Sequence, residues 1–578
     1  MVEEAPADLV LTRGAVYTVD AARSWAQAVA ISAGRIAAVG SDAAMRPFVG
    51  PRTEVIDLRG RMVLPGFQDA HVHASGGGLE RNQCDLAELH GRAEYLAAIR
   101  AYAGQHPEAE WITGGGWSMD VFPGGVPSKD DLDAAVPGRP VFLSNRDHHG
   151  AWVSSRALAL AGVDAATPDP ADGRIERTPA GDPAGVLHEG AMNLVQRVVP
   201  PPDLAAQVAG IVTGQRHLHE LGITAWQEAI VGDYAVVPDS FDAFREAERQ
   251  GLLTARVTGA LWWPRSADLD YLDFLAERRS LAGHGRFRAG SVKIMQDGVC
   301  ENFTAAMLTP YLDGHGHPAG SQGTSFFEAG ELKAAVTAID ARGFGVHVHA
   351  IGDRAVRDAL DAFAAARAAN GGNGAGWRGQ NQQSAGRRGQ NQQIGRHHIA
   401  HIQVVHPDDV PRFRELGVAA NCQPLWACNE PQMTELTVPF LGPERTGWQY
   451  PFGSLAASGA HLCFGSDWPV SSANPLWEMH TAVNRTAPPG YPYGGPHSDA
   501  PFLPAERVSL PTAIAAFTIG SAYINNDEHE AGSVEPGKRA DLVVLDRNLF
   551  AHPATEIGLA QVDLTLVDGA VVHARPGT

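Results

Sequence analysis

The sequence predicts an α/β protein: a (β/α)8 TIM barrel with a composite β-sandwich built from both termini and an inserted subdomain after the first barrel strand. Three observations carry this expectation. Eight apolar runs of four to eight residues, near 64–73, 222–228, 256–263, 290–297, 344–350, 398–404, 417–424 and 461–467, are each followed by a helical pattern, the signature of parallel βαβ units that close at eight. The two chain ends share a texture of short strands and turns, and neither end is large enough to bury a good core alone. Finally, 578 residues are too many for one ordinary domain but suit a barrel with insertions.

Taken in order, residues 1–63 read as short strands: Asp8–Leu11, Ala15–Thr18, Ala28–Ile31 and Arg35–Gly40, separated by glycine and polar residues. They are assigned, with 521–578, to the sandwich; the later piece contributes Ala540–Asp546 and Val562–Gly569. Residues 64–520 are assigned to the metal-dependent barrel. An excursion at 76–200 leaves the carboxyl end of strand one, the face that holds active sites in barrels, and is read as a lid or substrate subdomain. Helical periodicity is clearest at 204–220, at 328–342 and over Asp353–Asn370, where Val356, Leu360 and Phe363 share a face. Residues 371–395 repeat Arg378-Gly379-Gln380-Asn381-Gln382-Gln383 at Arg388-Gly389-Gln390-Asn391-Gln392-Gln393. This polar low-complexity insert is expected to be disordered and remote from chemistry.

A composition of 44% hydrophobic and 19% charged residues is globular, and a formal charge of −20 disfavours nucleic acid and anionic membranes as partners. No apolar run approaches the roughly 18 residues that span a bilayer. The amino terminus is acidic without an apolar h-region, and the five cysteines (Cys84, Cys300, Cys422, Cys428, Cys463) lack a disulfide or zinc-ligand framework. A cytoplasmic protein with a small-molecule substrate is expected, and a homodimer stays open.

The chemistry sits at strand ends. His71 and His73 alternate along strand one, so both side chains leave the same face about 6.5–7 Å apart and can converge on one cation. Two polar groups at a strand terminus is the plain alternative. Lys293 interrupts an apolar strand, where an unpaired ammonium is costly. Its neutral amine can add carbon dioxide to give a carbamate that bridges two cations; a salt bridge to Asp297 or Glu301 is the alternative. His347 and His349 share a face of strand five, with His349 nearer the mouth as the ligand and His347 in a hydrogen-bonded layer below. His401 ends strand six. Asp467, after strand eight, can stay ionised, join the metal ligands and take a water's proton, although an aspartate there also suits a helix N-cap. Nitrogen and oxygen donors without thiolate suit one or two divalent ions, Zn²⁺ best, with Mn²⁺, Fe²⁺, Co²⁺ or Ni²⁺ open. No G-x-S-x-G elbow or P-loop competes.

Leu64-Pro65-Gly66-Phe67-Gln68-Asp69-Ala70-His71-Val72-His73, Val348-His349-Ala350-Ile351-Gly352-Asp353-Arg354-Ala355, Gly465-Ser466-Asp467-Trp468-Pro469-Val470 and Gly532–Leu545 together resemble the amidohydrolase superfamily. The resemblance is nearest to its subgroup containing N-substituted formamide deformylases, and it covers nearly the whole chain except 371–395. It implies His71, His73, His349, His401, Asp467 and a carboxylated Lys293 around one or two metals, with Asp467 catalytic. Ala400 departs from the subgroup's usual glutamate. Asp147–Trp152 resembles a stretch over the pocket, marking His149 and Trp152 as substrate contacts. Trp117, Phe122, Trp152, Phe303, Trp426 and Trp468 fall near segments expected at the mouth. The implied reaction is hydrolysis of a non-peptide carbon–nitrogen bond in a small amide or N-substituted formamide. Deamination of a heterocyclic amine is the rival on the same scaffold, and a non-catalytic binding barrel is the alternative from another class.

Overall fold

A computed structural model describes residues 6–234, 238–370 and 396–577; the expected disordered insert at 371–395 lies outside the described residues. Eight parallel strands run in chain order around one sheet: β1 (Phe67–Val72), β2 (Ile223–Val231), β3 (Arg256–Trp262), β4 (Phe287–Met295), β5 (Gly345–Ala350), β6 (His398–His401), β7 (Ala419–Cys422) and β8 (Leu462–Phe464). The two edges meet. Asp467 N–H donates to the His71 carbonyl at 2.7 Å and His73 N–H to the Trp468 carbonyl at 2.8 Å, which brings the start and end of the barrel together beside the candidate ligands. β1 and β5 are buried at every position, as expected for strands with a core on one face and helices on the other.

The helices pack as the periodicity predicts. Leu204–Glu220 and Asp353–Ala369 are observed, and the second buries Val356, Leu360 and Phe363 at i, i+4 and i+7. Residues 9–57 supply a four-stranded sheet. A six-stranded sheet combines Ala15–Tyr17, Trp25–Ala26 and Met62–Pro65 from one end with Leu542–Leu545, Val562–Val567 and Ala570–Ala574 from the other. Leu9, Val29, Val63, Leu542 and Leu566 pack between the sheets.

One expected element divides. The run 64–73 is two strands, because Leu64 and Pro65 pair with Val543 and Leu542 in the sandwich while Phe67 onward joins the barrel. The step occurs at Gly66, whose N–H donates to the Asp541 carbonyl at 2.8 Å. A Cβ there would sit 2.4 Å from the Thr224 methyl, so only glycine lets the chain pass from one sheet to the other.

The excursion after β1 carries its own six-stranded sheet, from Cys84–Asp85 through Pro183–Glu189. Among the described residues, no helix is long and apolar enough to cross a membrane.

Candidate metal centre

β1 delivers His71, buried, and His73 immediately after it. Asp69, two residues earlier, fastens β1 to the turn after β8: Ser466 donates to its carboxylate from the backbone N–H (3.1 Å) and Oγ (2.6 Å), and His71 N–H adds a third bond (3.0 Å). This fixes Asp467 against the histidines. Asp467 Oδ1 lies 3.1 Å from His71 Nε2 and 3.1 Å from His73 Nε2, and Oδ2 lies 3.8 Å from His401 Nδ1. One ligand atom each from His71, His401 and Asp467 falls within 4.8 Å of the others.

The backbone at this rim is special. Asp467 (φ 56°) and His401 (φ 76°) both take left-handed conformations at the point where their strands stop. Non-glycine residues occupy that region at a cost, and such positions concentrate at functional sites. The competing cap role for Asp467 does not apply, since the next helix, Pro475–Asn484, is capped by Asn474.

Lys293 lies in the same cavity, 1% exposed. Burial pushes its ammonium down to about 7, with the nearby Asp467 carboxylate partly opposing the shift. The salt-bridge alternative finds no support. Asp297 accepts instead from the N–H groups of Ala306 (2.8 Å), Ile351 (3.0 Å) and Gly352 (2.9 Å), and Glu301 accepts from Thr437 Oγ1 (3.0 Å). Among the described residues, no carboxylate lies within 4.0 Å of Lys293 Nζ.

His349 lines the cavity with its ring 4.4 Å from that of His401, while its Nε2 is 3.2 Å from the Gly298 carbonyl. Burial holds His71 down to about 3 and His349 and His401 well below the ordinary histidine range. Burial thus favours the neutral imidazole, the form that binds cations. Burial works against the charge on Asp467, but His71, His73 and His401 outweigh it and keep the carboxyl well below the usual carboxylate range.

The donor set fits a cation. His401 Nδ1 and Asp467 Oδ1 are buried without an aligned hydrogen bond, although Oδ1 lies 3.1 Å from two imidazole nitrogens. Buried polar atoms are satisfied in the great majority of cases, and a metal would satisfy both. Trp426 stacks on the His401 ring at 5.3 Å and 6°, holding its orientation.

The remaining expected contacts divide. His149 lines the cavity and its Nδ1 is 2.9 Å from Glu189 Oε1. Burial disfavours its cation, but Glu189, Asp147 and Asp467 reverse this and hold it up at about 9. Trp117 and Trp152 are not at the cavity, a correction to the sequence reading. Both are fully buried in the inserted sheet's core, packed on each other (6.1 Å) and on Phe122, with their indole N–H groups donated to the carbonyls of Leu143 and Ser128. An alternating strand presents two faces, and these indoles lie on the inward one. Sequence reasoning missed Glu189, His148 and Tyr234. Glu189 has φ 51°, and no residue pattern around it announces a contact with a histidine forty positions away.

Two further cavities adjoin the centre. A chamber of about 700 Å³ between insert and barrel shares Gly76, His148 and Tyr234 with it, while a pocket of about 40 Å³ shares Asp147, Val299, Trp426 and Val470.

Comparison with known proteins places this geometry among relatives. A sequence model described as the amidohydrolase family matches residues 54–573. Protein LONG AFTER FAR-RED 3 of Arabidopsis thaliana is 31% identical over 98% of this chain and 92% of its own. The N-substituted formamide deformylase of Arthrobacter pascens is 28% identical over 99% of both chains. A crystal structure of an uncharacterized metal-dependent hydrolase from Pyrococcus furiosus superposes with a TM-score of 0.68 at 27% identity, covering 93% of this chain and 99% of that one.

Proposed function

Because the chain belongs to the amidohydrolase family, we propose that it is a metal-dependent hydrolase of a non-peptide carbon–nitrogen bond, in a small amide or N-substituted formamide. The observation that carries this reading is the convergence of His71, His73, His401 and Asp467 in one cavity, where His401 Nδ1 and Asp467 Oδ1 are buried without an aligned hydrogen bond. With Lys293 and His349 they would hold one or two divalent ions, and imidazole with carboxylate suits Zn²⁺ best. Such an ion supplies a water acidified towards neutrality and a polarised carbonyl.

The protein's own groups do the rest. Asp467, ionised and buried, accepts the proton of the attacking water and returns it to the leaving nitrogen. His149, charged through Glu189, faces the negative charge that develops on the carbonyl oxygen. Lys293 is buried without a counter-ion, which favours a neutral amine able to form a carbamate. The unequal cavities favour a substrate with one small half and one bulky half, as in a formamide with a large N-substituent. In this reading the insert roofs the chamber through Glu189, Asn193 and Gln196.

A panel of N-alkyl and N-aryl formamides, with formate and amine both measured, tests the reading. Hydrolysis that stops on metal chelation and returns with Zn²⁺ is expected. Release of ammonia from aminated heterocycles, with the formamides intact, would transfer the protein to the deaminase class. Turnover of neither by metal-loaded protein would leave a binding barrel.

A further inference from the structure

Below the candidate ligands lies a layer that a barrel ordinarily fills with branched apolar side chains. Here it is polar. His347 on β5 is paired laterally with Lys293 on β4 and with His398 on β6, and all three are buried. His347 is two residues before His349 and so faces the same interior one step deeper. Its Nε2 lies 2.8 Å from His71 Nδ1, and its ring is 4.1 Å from that of His398, whose Nδ1 is 3.1 Å from Asn421 Nδ2. Asn421 in turn donates to the Ala70 carbonyl at 2.9 Å, so the layer is tied back to the strand that carries His71.

This contact constrains which nitrogen of His71 can bind a cation. His71 points Nε2 at Asp467 and Nδ1 at His347. An imidazole ligates through a lone pair, so Nε2 can ligate only when the ring proton resides on Nδ1. That proton then needs an acceptor, and such an outer partner fixes the ligand's tautomer and orientation. His347 Nε2 can accept only when His347 is neutral and carries its own proton on Nδ1. His347 Nδ1 has no hydrogen-bond partner among the described residues, so the 2.8 Å contact with His71 is the bond that sets the two tautomers.

We propose that His347 is the positioning residue of the metal centre: it accepts a hydrogen bond from His71 Nδ1–H and thereby commits His71 Nε2 to the cation. This rests on the metal-dependent reading above. Carboxylates and carbonyls commonly play this part. A neutral histidine orients the ligand without adding negative charge beside Asp467 and Lys293.

The test uses the full-length protein, stripped of metal with a chelator and titrated with Zn²⁺ against a competing chromophoric chelator. His347→Leu, which fills the space without an acceptor, is expected to weaken binding about 10- to 100-fold. His347→Gln, which keeps a side-chain acceptor, is expected to recover most of that loss. In wild-type protein with ¹⁵N-labelled histidine, the His71 proton is expected on Nδ1. Equal Zn²⁺ affinity in wild type and His347→Leu overturns the proposal, as does a His71 proton on Nε2. If His347→Leu does not fold, the tautomer measurement on wild type decides alone. Failure of wild type to bind Zn²⁺ at all would instead remove the metal-dependent reading, and this inference with it.

Discussion

Asp467→Asn should lower kcat by about 10⁴-fold, the upper end for loss of a general acid–base group. One carboxylate is asked both to receive the water's proton and to return it to nitrogen, so both halves of the transfer fail together. The substitution is nearly isosteric, and Asp467 sits 3.1 Å from both His71 Nε2 and His73 Nε2, contacts an amide can occupy without a change of backbone. The fold should therefore survive, as judged by an unchanged far-ultraviolet spectrum and a melting temperature close to wild type. The asparagine cannot be ionised, so bound metal should also decrease. A variant that keeps a tenth or more of the wild-type kcat would assign the proton transfers to another group.

Lys293→Met should be the second largest effect, and its signature is a split between activity and stability. Methionine matches the apolar stem and removes only the amine. No carboxylate is left unpaired, because Asp297 and Glu301 are already bonded elsewhere. A lysine held only as a buried salt-bridge partner would behave oppositely, since its removal would strand a buried charge. Loss of at least about 10²-fold in activity with full retention of folding is expected, a size comparable to removing a group that supports ligated metal.

The same residue should leave a trace in the pH dependence of the metal-free protein. Its folded pKa is depressed to about 7 from 10.5 by burial. Between those values the unfolded chain binds more protons than the folded one, so this group makes stability rise with pH across that window. Chemical denaturation at pH 7 and pH 10 should show a rise in wild type relative to Lys293→Met. Parallel pH profiles in the two proteins would mean that Lys293 is not buried as a neutral amine.

Much of this architecture was legible before any coordinates. The strand repeats survive because a barrel strand must be apolar on two faces, which leaves a run that is easy to see. The helix Asp353–Ala369 declares its buried face through Val356, Leu360 and Phe363. The residues that meet at the cavity were legible because a histidine or lysine ending an apolar strand stands out from its neighbours. What stayed hidden depends on three-dimensional meetings. The break at Gly66 arises from the approach of Thr224, 158 residues later, and from the backbone of Asp541. Trp117 and Trp152 looked like mouth aromatics because their position in the insert was known but the facing of their strands was not. Glu189 reaches His149 only because the antiparallel pairing of Gly150–Trp152 with Val186–His188 folds the insert back on itself. The left-handed backbone at His401 and Asp467 has no counterpart in residue type.

Elemental analysis of the wild-type protein, purified without chelators and compared with His71→Ala and His401→Ala, tests the central claim most directly. One to two equivalents of a divalent metal per wild-type chain, falling well below one in both variants, is the predicted result. Wild-type protein that carries far less than one equivalent and takes up none on addition, or variants that keep the full complement, would contradict it.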